Sequence, residues 1–190
     1  MTPLVFRMAV PAVVAQLVNL LYNLVDRIYI GHIYGIGTEA LAGIGVTGSV
    51  IILISAFASI VNGGAAPLAS IALGRGDRAL AGRYLGNGVV LLIVFAVLCA
   101  LPVYIFMEPI LYAVGASDAT IGYACDYLSV YLLGTVFVQL SLGLNTFIYT
   151  QGRPGIAMTS VILGAVMNIV LDPVFIFPLD TGGKGAAIAT

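Results

Sequence analysis

Apolar residues fill this chain in five long stretches separated by short polar breaks. Each stretch is long enough to cross a bilayer as a helix, which takes about 20 residues at 1.5 Å apiece. The pattern predicts spans over 3–30, 41–73, 84–107, 121–150 and 156–177, and a further apolar segment, 184–190, that has only begun when the sequence stops. The expected fold class is all-α, a polytopic membrane helix bundle. Pro11 lies inside the first span, where a missing N–H predicts a bend. Asn62, Gly63, Gly64 and Pro67 mark a second bend, in the second span, which reads either as a hinge or as close helix packing.

Polar positions inside these spans carry the chemistry. Asn168 and Asp172 interrupt the stretch from Ile156 to Phe177, and Ser160, Gly164, Asn168 and Asp172 recur at four-residue steps. That spacing predicts one small and polar face turned inward, away from lipid. Gln16, Asn19, Asn23 and Asp26 form a second stripe on the first span. Amides alone suit hydrogen bonding between helices. The carboxylate at the end of the stripe points to function, because a charge in hydrocarbon costs about 2.5–3.5 kcal/mol on insertion scales. Arg27 adjoins Asp26, but neighbours on a helix point about 100° apart, so no ion pair within the helix is implied. Asp126, near the outer end of the fourth span, reads as interfacial and solvated; Gln139, Asn145 and Tyr149 lie further along it. Tyr131, Phe137, Met158 and Phe175 read as packing or lipid-facing residues ahead of a cavity lining.

Composition agrees: 61% of residues are hydrophobic, 8% are charged and the mean hydropathy is +1.13, far from the roughly 25% charge of soluble domains. A net charge of −1 gives no reason to expect a nucleic-acid partner. Cys99 and Cys125 lack metal-ligand spacing and read as apolar packing residues. No HExxH, catalytic-serine or Cys/His pattern suggests an enzyme or a resident cofactor. Arg7, then Arg75, Arg78 and Arg83, then Arg153 occupy alternate connections. The positive-inside rule places these and the N-terminus in the cytoplasm, in a cell (inner) membrane.

Counting from the opposite surface brings three segments to one depth. Asp26 precedes Gly31, Asp172 precedes Pro178 and Thr190 follows Lys184 by five or six residues each, which is roughly 8–10 Å inside. Carboxylate, amide and hydroxyl oxygens at one height suit a hard cation such as sodium, or a shared proton. Burial and a second carboxyl raise the affinity of such a site for protons.

The order of these features resembles the multidrug and toxic compound extrusion (MATE) family. It is carried by Pro11 and Asp26 in the first span, by Ile30-Gly31 and Leu41–Gly45, and by Gly74-Arg75-Gly76-Asp77. The run Asn168-Ile169-Val170-Leu171-Asp172-Pro173 and the later Gly185–Thr190 add to it. The pattern is most similar to the prokaryotic DinF-like and related branches. The resemblance implies twelve spans in two lobes, of which this chain is the N-terminal lobe, and antiport of sodium or protons against organic, usually cationic, compounds. It further implies that Asp26, Asn168, Asp172 and Thr190 form the coupling cluster and that Pro11 bends the first helix, with Gln16, Asn19 and Asn23 in support. The chain is accordingly expected to be part, or a truncated product, of a longer transporter whose partners are membrane lipid, a drug-like substrate and a C-terminal lobe. A lipid-linked oligosaccharide flippase of the same superfamily and a non-transporting structural membrane fragment remain as alternatives.

Overall fold

The structure is a computed structural model that describes residues 2–31 and 37–176, with side chains at 6, 8–31 and 37–171. Every element among these residues is helical: α1 (Thr2–Gly31), α2 (Gly37–Gly74), α3 (Arg78–Ile105), α4 (Met107–Ala113), α5 (Ile121–Thr150) and α6 (Pro154–Ile176). All but α4 contain a stretch long and apolar enough to cross a membrane.

The helix ends follow from local chemistry. At the end of α2, the Gly76 N–H donates to the Leu73 carbonyl at 3.0 Å and the Asp77 N–H to the Ala72 carbonyl at 3.0 Å. This closing pattern needs a left-handed residue, and Gly76 supplies it at φ 80°. Asp77 then starts α3, its Oδ1 accepting from the Leu80 N–H at 2.9 Å. One glycine and one aspartate thus end a helix and begin the next within two residues. The turn after α5 works similarly: Gly152 takes φ 77° and Pro154 opens α6, where its missing N–H goes unneeded.

Two boundaries differ from the sequence expectation. Helix α3 begins at Arg78, six residues ahead of the predicted span, so Arg78 and Arg83 belong to its first two turns; charge marks the edge of the hydrocarbon, whereas the Asp77 cap marks the edge of the helix. The connection expected after the third span contains α4. Helix α2 continues as one element through Asn62-Gly63-Gly64 and Pro67, and α1 through Pro11. At 38 residues α2 is about 57 Å long, well beyond the roughly 30 Å hydrocarbon core.

Helices α2, α3 and α5 pack against one another as a trio, and α1 packs chiefly on α6. Smaller contacts, α5 with α6 and α1 with α2, join the two groups. The trio is held by Val50, Ile54, Val103, Leu128 and Leu132 toward one end, where Leu111 of α4 joins them, and by Ala66, Ala69 and Phe147 toward the other. Small residues allow close approach, as lipid-embedded packing favours. A Cβ at Gly43 would lie 2.8 Å from the Thr120 carbonyl oxygen, so only glycine lets α2 reach the start of α5 there. Cys99 and Cys125 are half-buried against this core, as free thiols. The outside is apolar instead of polar, with Ile52, Leu133 and Phe137 at 72–76% exposure, the arrangement expected when the solvent is lipid.

Candidate functional site

The chain has two unlike ends. Tyr149 at the end of α5 donates to the Met8 carbonyl of α1 at 3.0 Å, and Ser70 of α2 donates to the Thr150 carbonyl at 2.9 Å. Pro11 and the turn Gly152–Ile156 line one cavity. These contacts gather the start of α1, the α2–α3 turn and the α5–α6 turn at one end, which therefore carries Arg7, Arg75, Arg78, Arg83 and Arg153, with Asp77. The other end holds Glu39, Glu108, Asp118 and Asp126, with Arg27. Asp126 is exposed, beside a shallow cleft that it lines with Glu108, Cys125 and Ser129. There Tyr112 donates to Asp118 Oδ1 at 2.9 Å, and that hydrogen bond holds the Tyr112 phenol above its ordinary value of 10.0.

The pair α1 and α6 runs from the basic end in the same direction. Asp26 lies fifteen residues beyond Pro11 and Asn168 fourteen beyond Pro154, about 22 and 21 Å along their helices. The carboxylate of Asp26 and the amide of Asn168 thus sit at matching height on packed helices. Asn168 is 6% exposed and Asp26 is half-buried; neither is without a partner. Asp172 follows Asn168 by one turn on α6, within the helix but without a described side chain. Thr190 lies outside the described residues.

The stripe on α1 divides. Asn19 and Asp26 are half-buried, while Gln16 and Asn23 are exposed, and the Asn23 amide donates to the Asn19 carbonyl of its own helix at 2.7 Å. The reason is rotational: at 100° per residue, Gln16 and Asn23 are about 20° apart, as are Asn19 and Asp26, but the stripe as a whole is about 80° wide. The edge of the packed face runs through it. On α6 the expected inward face is also only partly realised. Ser160 and Gly164 are exposed, whereas Pro154, Ala157, Ala165 and Asn168 are buried. Four-residue steps advance 400°, so the stripe winds about 40° per step around the helix and reaches the buried side at Asn168.

Three polar residues on α5 are joints between helices. Gln139 Nε2 donates to the Ile54 carbonyl of α2 at 2.7 Å. Asn145 Nδ2 donates to the Ala157 carbonyl at 3.1 Å and to Ser160 Oγ at 3.0 Å, both on α6. Tyr149 reaches α1, as described above. Spacing separates only Gln139 from the other two: Asn145 and Tyr149 lie one turn apart on one face of α5 and still reach different helices. Tyr131 is buried and stacked on Tyr127 with centroids 6.4 Å apart. Phe137 is exposed, Met158 is half-buried, and Phe175 is without a described side chain. No group of three or more His, Cys, Asp or Glu able to hold a metal ion occurs among the described residues.

Five bilayer-length helices, with an amide and a carboxylate level with each other inside one helix pair, define a polytopic helical membrane protein. A model of the MatE family matches residues 11–174, and the chain belongs to that family. It is 26% identical over 182 residues to the multidrug export protein MepA of Staphylococcus haemolyticus, covering 96% of this chain and 40% of that protein. It is 30% identical over 192 residues to an FAD transporter of Shewanella oneidensis, covering 96% of this chain and 41% of the relative. Among solved structures, a MATE protein in the bent conformation matches with a TM-score of 0.88 at 28% identity, over 98% of this chain and 41% of that one. A MOP superfamily transporter from Pyrococcus furiosus matches with a TM-score of 0.89 at 28% identity, over 98% of this chain and 41% of that one. The chain spans about 40% of the length of the curated relatives it matches.

Proposed function

We propose that this lobe, joined to a second one, exports organic and usually cationic drug-like solutes across the cell membrane in exchange for sodium ions or protons. Asp26, Asn168, Asp172 and Thr190 form the coupling site in this reading, Pro11 is the point about which α1 bends, and the basic end faces the cytoplasm. The supporting observation is the level placement of Asp26 and Asn168 on the packed pair α1 and α6. An acid inside an apolar helix is costly and is retained where it handles ions. Its charged form is disfavoured by burial and restored by a bound cation, so one carboxyl can exchange a proton or sodium ion. A coupling ion shifts the lobe between states only by its differential affinity for them, which requires a site on an element that has two packings; α1, interrupted by Pro11, is that element.

The test uses the intact two-lobed transporter in proteoliposomes, with a sodium or a proton gradient imposed and efflux of a cationic dye followed. FAD is assayed in parallel, because one relative is named for it. Asp26→Asn is expected to lower gradient-driven efflux at least tenfold while leaving membrane insertion and melting temperature unchanged. Efflux at the unsubstituted level would remove Asp26 from the mechanism.

A further inference from the structure

Helix α3 carries a charge, an amide and an apolar surface in one line. With Arg83 as the origin and 100° per residue, Asn87, Val90, Val94 and Leu101 fall within about 40° of it, and all five are exposed. The side of α3 that packs on its neighbours, where Gly88, Leu92 and Ala96 are buried, lies about 140–220° round the helix from Arg83. The line therefore faces whatever surrounds the bundle. From Arg83 to Ile105, the last residue of α3, the rise is about 33 Å, close to the roughly 30 Å of the hydrocarbon core. Arg83 thus stands at one edge of the membrane, with Asn87 about 6 Å inside it and the valines deeper. A guanidinium at that edge suits a phosphate, which it binds through two parallel N–H groups. An amide just inside the edge is costly in hydrocarbon without a partner, and the ester carbonyls of a glycerophospholipid lie just below its phosphate. Charge chooses among lipids. Arg75, Arg78, Arg83 and Arg153 are exposed at this end, whereas its one acid among the described residues, Asp77, uses its carboxylate to cap α3. A zwitterionic headgroup brings an ammonium to that surplus of arginine, and an anionic one does not.

We propose that Arg83 and Asn87 form a binding site for one anionic glycerophospholipid, its phosphate on the guanidinium, an ester carbonyl on the amide and an acyl chain along Val90 and Val94. The site goes beyond the transport reading, since neither a coupling ion nor a solute enters it and its test needs neither.

The sequence holds no tryptophan, so one introduced at Val90 or Leu101 reports lipid contact at that point. Both variants are made in the intact two-lobed transporter, with any tryptophan of the second lobe replaced by Phe. They are reconstituted in phosphatidylcholine with rising fractions of phosphatidylglycerol, one or the other lipid brominated on its chains, and quenching gives the preference for the anionic lipid at each position. Val90→Trp, on the Arg83 side, is expected to show about a fivefold preference, the worth of one arginine at the membrane surface. Leu101→Trp, toward the other end of the same line, is expected to show none. Adding Arg83→Gln to Val90→Trp is expected to abolish the preference and Asn87→Leu to at least halve it, while Arg153→Gln on α6 leaves it within about twofold; all these positions are exposed. A preference that survives Arg83→Gln, or that Asn87→Leu leaves untouched, overturns the proposal. So does an equal loss in Arg83→Gln and Arg153→Gln, which makes the surplus a diffuse attraction, or displacement of the lipid by inorganic phosphate, which makes the site one for the free anion. A Val90→Trp quenched by neither lipid overturns it as well, because the second lobe then covers this face.

Discussion

Gln139 illustrates how single polar groups act in this bundle. Its side chain is 1% exposed; Nε2 bonds to the Ile54 carbonyl, but Oε1 is buried and meets no donor among the described residues. The one bond is worth about 0.6–1 kcal/mol, whereas an unsatisfied buried carbonyl costs about 1–3 kcal/mol. Gln139→Met, which fits the same space, is therefore expected to raise the melting temperature in detergent by a few degrees; a clear fall would show that Oε1 has a partner in the membrane. Glycines give a paired test on α2. Gly43→Ala would push a methyl against the Thr120 carbonyl at 2.8 Å and the Ala124 nitrogen at 3.2 Å, whereas Gly45→Ala enters open space. The first is expected to destabilise by about 1–3 kcal/mol, as overpacking does. The second is expected to be neutral or to stabilise by about 0.5–1 kcal/mol through the entropy glycine loses on folding, and paired thermal melts read the difference.

Among the helices, length and apolarity were legible because a bilayer imposes one dimension on every span; α1, α2, α5 and α6 begin and end within a few residues of their expected limits. The start of α3 was hidden because Arg78 and Arg83 read as loop, when Asp77 had already capped the helix. The polar stripes were legible as spacing but not as burial. Which side of Gln16 or Ser160 meets a neighbour depends on how far the stripe winds before the partner helix arrives, and one sequence does not contain the partner's position. The bonds of Gln139, Asn145 and Tyr149 were invisible for the same reason. The short connection from α4 to α5 adds a pH-dependent element. Tyr112 keeps its proton above pH 10.0 by donating to Asp118, so this tie is fully present below that pH and is lost as pH rises through the raised value. A tyrosine-ring NMR titration should find a late-titrating phenol that disappears in Tyr112→Phe and moves down in Asp118→Asn.

For the whole molecule, the contrast between the arginine-bearing end and the acidic end fixes an expected orientation. A cysteine at Ala79, exposed in the first turn of α3, should react with a membrane-impermeant maleimide only after cells are opened, and one at Ser117 should react in intact cells. The reverse pattern would invert the proposed direction of export. The division into a trio and a pair also has a consequence for biosynthesis. Of the described helices α1 is the first to leave the ribosome and α6, its main neighbour, the last; from Gly31 to Pro154 the delay is roughly 6–25 s at common elongation rates of 5–20 residues per second. Meanwhile α2, α3 and α5 can already assemble. Nascent α1, carrying an acid and three amides into the bilayer, must wait with only its smaller contact to α2, and whatever shelters it during those seconds is the natural place to look for an insertion chaperone that decides the yield of this protein.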